Sequence, residues 1–337
     1  MPIDANALTL SEYAVQSNDP LVMKITFSLH KMANILQDIP LITKKTLVQN
    51  GVRFVDNLPA VNWGQINQAP AVTRGKPSPY QEQIWLVRNQ FQVDKKLMED
   101  TNAIQDPLDV QINAWNEAFT YDVNTKFINN AHDGSGDNQA PVGLKARIDN
   151  AVQYGVNSEM KIDGLGVDLT GSMTQATANQ FIEQVQQMLD FMNAPDGDGV
   201  VFYCNDLLKR RWERAVRLLG AGAGFNTQKD AFDRTVSMYK GAKIRDLGRQ
   251  VDQQSRIIGD ETATGTIWSS GSKYTSLYAV RYGQDTFCGW QFEPLKPNNL
   301  GLDPTNGVTY NTVIDWAFGL WMPHTRAICR QFDIKTA

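Results

Sequence analysis

The stretch that most constrains this chain runs from Asp106 to Asn130, DPLDVQINAWNEAFTYDVNTKFINN. Leu108, Ile112, Trp115, Phe119, Val123 and Phe127 recur at intervals of three and four, which places them along one drifting face of a helix. Asp106 is positioned to cap it, and Pro107 suits the first helical turn, where a missing N–H costs nothing. At 1.5 Å per residue the helix is roughly 35 Å long, well above the usual few turns. Asn, Asp, Glu and Lys take most of the other positions, so the pattern predicts an amphipathic strut and not a membrane span. Any fold for this chain has to be built around that strut.

Length then bears on domain count. A chain of 337 residues exceeds the size at which one core stops growing, roughly 250–300 residues, and predicts two lobes. The formal charge of -4 gives no global reason to expect a nucleic-acid binder. Cys204, Cys288 and Cys329 are odd in number and far apart, as suits a reducing compartment without a disulfide framework. No basic segment followed by an apolar run marks a secretory signal at the N-terminus.

Toward the N-terminus, Leu21, Ile25, Leu29, Met32, Leu36 and Ile39 form a helical stripe that begins near Asp19-Pro20. It predicts a helix packed on its own core or, alternatively, an arm packed on a neighbouring subunit. From 49 to 98 the chain is least globular. A strand at Val52–Val55 leads into DNLPAVNWGQINQAPAVTRGKPSPYQEQ, whose prolines and glycines break every helix. QIWLVRNQFQVDKKLM then reads as a second extended limb with Phe91, Val93, Lys95 and Leu97 on one face. The two limbs predict a projecting hairpin, too long to be stable alone in water.

After a glycine-punctuated turn at 132–143, Val152–Asp168 reads as loose strands. Thr174 or Thr177 caps a helix bearing Phe181, Val185, Met188, Leu189 and Met192. Val200–Cys204 is a buried strand that passes through Asn205-Asp206 into a further helix, followed by a loop at Gly220–Gly224 and strands to the end.

No catalytic, cofactor-binding or metal-binding residue can be assigned. His30, His132 and His324 stand in no HExxH or cysteine-histidine spacing. Asp133–Asp137 and Asp196–Gly199 lack the ligand ladder of a calcium loop. Gly220–Gly224 follows a helix, whereas a phosphate loop leaves a strand and opens a helix. Lys209, Arg210, Arg211, Arg214 and Arg217 share a helix with Trp212, a basic run that reads as a solvated or inter-subunit ion-pairing face before it reads as a phosphate site.

The order of parts, with ALTLSEYA, NDPLVMKI, DKKLMEDTNAIQDPLDVQINAWNEAF, the GDNQAPVGL turn, GVVFYCNDLLKRRWERAVRLL and DWAFGLWMPHTRAICRQFDI, resembles the major capsid proteins of tailed bacteriophages, over essentially the whole chain. The resemblance implies an α+β Hong Kong 97-type capsid fold. Residues 1–48 would be an N-terminal arm and 49–85 the extended loop. Residues 86–171 would form the peripheral domain with its spine helix at 106–130, 172–290 the axial domain, and 291–337 the return strands to both. It further implies a non-enzymatic protein that assembles into pentamers and hexamers of an icosahedral shell around double-stranded DNA. A bacterial nanocompartment around protein cargo is the alternative. A separate scaffolding protein, a portal and a decoration protein would be its partners, packaged DNA would be touched without sequence preference, and no membrane would be involved. Trp63, Arg74, Lys76 and Glu82 would lie at the inter-subunit contact of the extended loop, the three charges at its rim.

Overall fold

The computed structural model describes residues 34–53, 58–69, 71–75, 77–99, 107–132, 136–220, 224–229, 235–252, 254–261, 272–305 and 307–337. Its first element, α1 (Asn34–Asp38), belongs to the chain's own core: Ile35, Leu36, Ile39 and Leu41 are buried. The Asp38 side chain, fully buried, accepts hydrogen bonds from Arg245 at 3.0 and 3.1 Å and from Lys243 at 3.2 Å. Of the N-terminal apolar stripe, Leu36 and Ile39 pack inward, while Leu21, Ile25, Leu29 and Met32 lie outside the described residues.

Next come β1 (Leu41–Thr43), β2 (Val48–Arg53), β3 (Ser78–Gln83), β4 (Trp85–Asp94) and α2 (Lys95–Glu99). The return limb of the hairpin is therefore β3, and the extended run from Trp85 pairs elsewhere. Phe91 and Val93 are buried as the alternation predicts, but Lys95 and Leu97 are not on a strand. The Asp94 carboxylate accepts the Lys96 N–H at 2.7 Å and starts a helical turn, a local side-chain contact that overrides the alternation.

The predicted strut is α3 (Pro107–Asn129), 23 residues long, with Asp106 just outside the described residues. Ile112, Phe119 and Phe127 are buried, and Leu108, Trp115 and Val123 pack half-buried against the core. Asn116, Thr120 and Asn124, one stripe at i, i+4 and i+8, are also buried, so the helix is enclosed on more than its apolar face. No described helix is long and apolar enough to cross a membrane. Beyond it lie α4 (Leu144–Asp149), α5 (Ala151–Tyr154), a single 3₁₀ turn at Ser158–Met160 and β5 (Lys161–Asp163). Of the loose strands expected between Val152 and Asp168, Lys161–Asp163 forms, with helical turns ahead of it. Gly155, at φ 61°, closes α5 in the left-handed conformation that glycine adopts without strain.

The rest comprises α6 (Gln175–Phe191), β6 (Val200–Cys204), α7 (Asp206–Leu219), β7 (Phe225–Lys229), β8 (Thr235–Tyr239), β9 (Ala242–Asp246), β10 (Tyr274–Arg281), β11 (Cys288–Gln291), β12 (Lys296–Leu302), β13 (Thr309–Trp321) and β14 (Ile328–Lys335). Thr174 and Thr177 cap α6 together, each side chain accepting the other's backbone N–H. Asn205 caps α7 by accepting the Leu208 N–H at 2.7 Å.

Two sheets result. In the first, β13 is central: β4 lies along one edge, β12 and β11 share the other, and β1 adds in parallel to β11. Ile314, Trp316, Phe318 and Leu320 alternate into the core from β13, and α3 covers that face through Phe119 against Trp316. The second sheet runs β5-β14-β10-β6-β9-β8-β7. All five residues of β6 are buried, and Trp212 of α7 is wedged among Phe181, Phe202 and Tyr239. The two sheets share one continuous buried cluster, because Phe127 at the end of α3 packs edge-on against both Tyr203 and Phe287. The long helix thus joins regions that chain length alone divides into two lobes.

Candidate assembly interface

The β2–β3 ribbon is hydrogen-bonded into neither sheet. Its two strands pair only with each other, from Val48↔Gln83 to Arg53↔Ser78. Its root is locked to the body by three contacts. Glu82 receives two hydrogen bonds from Arg147 of α4, at 2.6 and 3.0 Å, and the Arg147 side chain is almost wholly buried. Arg53 lies 4.2 Å over the Tyr80 ring and donates to the Met322 carbonyl at 3.3 Å. Tyr80 in turn stacks on Trp321 with centroids 4.7 Å apart. Burial lowers the Arg53 guanidinium pKa and raises that of the Tyr80 hydroxyl. Gly51 is required here: a Cβ at that position would come within 2.6 Å of the Tyr80 ring and 2.7 Å of Trp321.

Beyond Arg53 and Ser78 the character reverses. The described part of the tip has no helix or strand, only a turn at Ile66–Asn67. Its large apolar side chains are left in solvent: Trp63 and Ile66 are each 95% exposed and Val72 is 99% exposed. An exposed apolar set of this density marks a surface that another molecule covers. Among the four residues singled out from the sequence, Trp63 and Arg74 are exposed on the tip and Lys76 lies outside the described residues. Glu82 sits at the root, already engaged by Arg147. No local sequence signal marks Arg147, Arg53 or Tyr80, since each acts through a partner distant in the chain.

Elsewhere several titratable groups are tied into structural contacts. Arg330 of β14 binds Asp149 and Glu261, each oxygen at 2.9 Å. Burial pushes the Glu261 carboxyl up, but Arg330, Ser276 and Lys145 outweigh it and hold the group below the usual glutamate range. On α7, Arg210 pairs with Asp206, Arg214 donates to the Gly171 carbonyl and Arg217 to that of Glu213. Trp212 is buried and not part of the basic face. Cys204, Cys288 and Cys329 are buried free thiols. Burial pushes the Cys288 thiol up to about 12, so it is unreactive near neutrality. Among the described residues no cluster of His, Cys, Asp and Glu is arranged to hold a metal ion. The loop at Gly220–Gly224 falls largely outside the described residues.

No protein-family model and no curated protein matches the sequence. Solved structures do match the fold. The holo-SrpI encapsulin complex of Synechococcus elongatus PCC 7942 superimposes with a TM-score of 0.59 at 10% identity, over 90% of this chain and 88% of its own. The capsid of the native GTA particle gives 0.54 at 12% identity, over 91% and 90%. The capsid of Cyanophage P-SCSP1u gives 0.52 at 11% identity, over 87% and 85%. The fold of this chain is therefore the α+β Hong Kong 97-type fold that builds phage capsids and encapsulins.

Proposed function

We propose that this chain is a structural shell protein, the major capsid protein of a tailed phage. Many copies form pentamers and hexamers that close into an icosahedral shell around double-stranded DNA. The observation that carries the reading is the β2–β3 ribbon: an arm rigidly fixed at its root and bare of any covering at an apolar tip, on a fold used by shell proteins. An arm of this kind joins unlike patches on successive copies, and repetition of such a contact closes rings. We assign Trp63, Arg74 and Lys76 to the contact with the next copy and Glu82 to holding the arm's root. Residues 86–171 then form the peripheral region, with 291–337 returning to it and to the axial sheet, and 172–290 with β14 surround the ring axis. A separate scaffolding protein, a portal and a decoration protein belong to the same reading, as do non-specific contacts with packaged DNA, a place in the virion and the absence of enzymatic activity.

A nanocompartment enclosing protein cargo is the second reading, favoured by the fold match to the encapsulin. Electron microscopy of the protein expressed alone tests the shared claim, with closed shells the expected result and dispersed subunits the contrary one. Nucleic-acid content of particles recovered from the native source separates the two: DNA-filled shells support the phage reading, and protein-filled shells overturn it in favour of the compartment.

A further inference from the structure

The chain passes from the first sheet to the second through the turn at 322–327, between β13 and β14. Several parts of the molecule are tied to that turn. Arg53 of the arm's root donates to the Met322 carbonyl at 3.3 Å. The Asn157 N–H donates to the Thr325 carbonyl at 3.0 Å, and Glu159 of the 3₁₀ turn accepts from Arg326 at 2.7 Å. Arg281 at the end of β10 donates its own N–H to the Ala327 carbonyl at 2.8 Å. The side chains of Arg281 and Arg326 reach further, to the Met192 carbonyl at 2.9 Å and the Phe191 carbonyl at 3.3 Å. These are the terminal carbonyls of α6, whose last turn holds no basic residue of its own. A helix end of this kind has unpaired acceptors and a partial negative charge, so two arginines from distant segments close it.

His324 sits beside both arginines. Its Nδ1 accepts the Arg326 N–H at 3.1 Å, which fixes the neutral ring with its proton on Nε2. The charged groups that face the ring are Arg281 from β10 and Arg326 from its own turn. Glu159 lies on Arg326, and α6 meets the cluster with the Phe191 and Met192 carbonyls. Burial first, then the two guanidiniums, hold the imidazole below the usual histidine pKa. A proton on Nδ1 removes the acceptor of the Arg326 N–H and sets a third cation beside the two that close α6.

We infer that His324 is a proton-operated latch at the joint between the two sheets. Neutral, it closes the turn and leaves Arg281 and Arg326 on the end of α6; protonated, it forces them apart and releases the helix end and the turn together. The sign follows from the depressed folded-state pKa. The latch contributes its full stability above the unfolded histidine value near 6.5 and loses it as pH falls through the folded value. Through Arg53 and the Met322 carbonyl the loosening reaches the root of the arm. The latch is a property of one subunit and stands or falls apart from the shell reading.

Two measurements on the unassembled subunit test it. Ring titration by NMR, with His324 assigned by substituting His30 and His132, is expected to place its midpoint below about 6. A midpoint at or above the ordinary value of about 6.5 would overturn the latch. This titration uses His324 in place and needs no variant at that position to fold. Hydrogen exchange between about pH 7.5 and 5, corrected for the intrinsic pH dependence of the amides, is expected to show protection lost at the C-terminal turn of α6 and at 322–327 while α3 keeps its own. His324→Gln, which offers an acceptor but takes no proton, is expected to hold that protection constant across the range. Protection that does not change in the unsubstituted protein, or that falls equally in His324→Gln, would refute the inference.

Discussion

Single residues at the arm's root decide whether the ribbon is a lever or a loose loop. Removing one member of a buried ion pair leaves the other charge unsolvated, and Arg147 has almost no exposure with which to recover water. Glu82→Gln is accordingly expected to destabilise the unassembled subunit by on the order of 3 kcal/mol in urea denaturation. A change near zero would mean that the pair does not fix the root. The Arg330 cluster makes a prediction of pH dependence. Glu261 and Asp149 are both held below their ordinary values, Asp149 against its burial by Lys161 and Arg330. A carboxylate depressed in the folded state contributes stability above its unfolded pKa, and the contribution is lost as pH falls through the folded value. The stability gap between the unsubstituted protein and Glu261→Gln should stay constant between about pH 7 and 5 and close below about pH 4. A gap that widens in acid would contradict the assignment.

At the scale of elements, α3 was the most legible part of the sequence because its apolar spacing and Pro107 state its length and start without reference to any other segment. Its packing was less legible. Trp115 stacks on Phe119 with centroids 4.9 Å apart but remains half-buried, whereas Phe119 is enclosed between Trp115 and Trp316. Phe119→Ala is therefore expected to cost about 3–5 kcal/mol and Trp115→Ala roughly half as much, compared by chemical melts of the soluble subunit. Equal losses would mean that the two rings share one environment. The buried stripe of Asn116, Thr120 and Asn124 carries no sign of its burial in residue type, since asparagine reads as solvent-facing until the covering elements are known. The return limb was misplaced for a related reason. Trp85–Asp94 and Ser78–Gln83 are both extended, and only the long-range pairing with β13 shows which one leaves the arm.

For the whole molecule, the sequence pointed to assembly through a deficiency: a hairpin with nothing of its own chain to lie on and no catalytic constellation anywhere. The contacts that lock its root were invisible, because Glu82 and Arg147 are 65 residues apart and neither belongs to a recognisable motif. The central claim is that the arm's tip serves assembly and not folding. Replacing residues 58–77 by a short glycine-serine turn keeps Glu82, Tyr80 and Arg53 in place and removes Trp63, Ile66, Val72 and Arg74. Size-exclusion chromatography of that variant, with circular dichroism on the eluted peak, is the most direct measurement. A folded, cooperatively melting subunit that elutes without shells is the predicted result, whereas shells formed without the tip, or loss of the fold on its removal, would contradict the account.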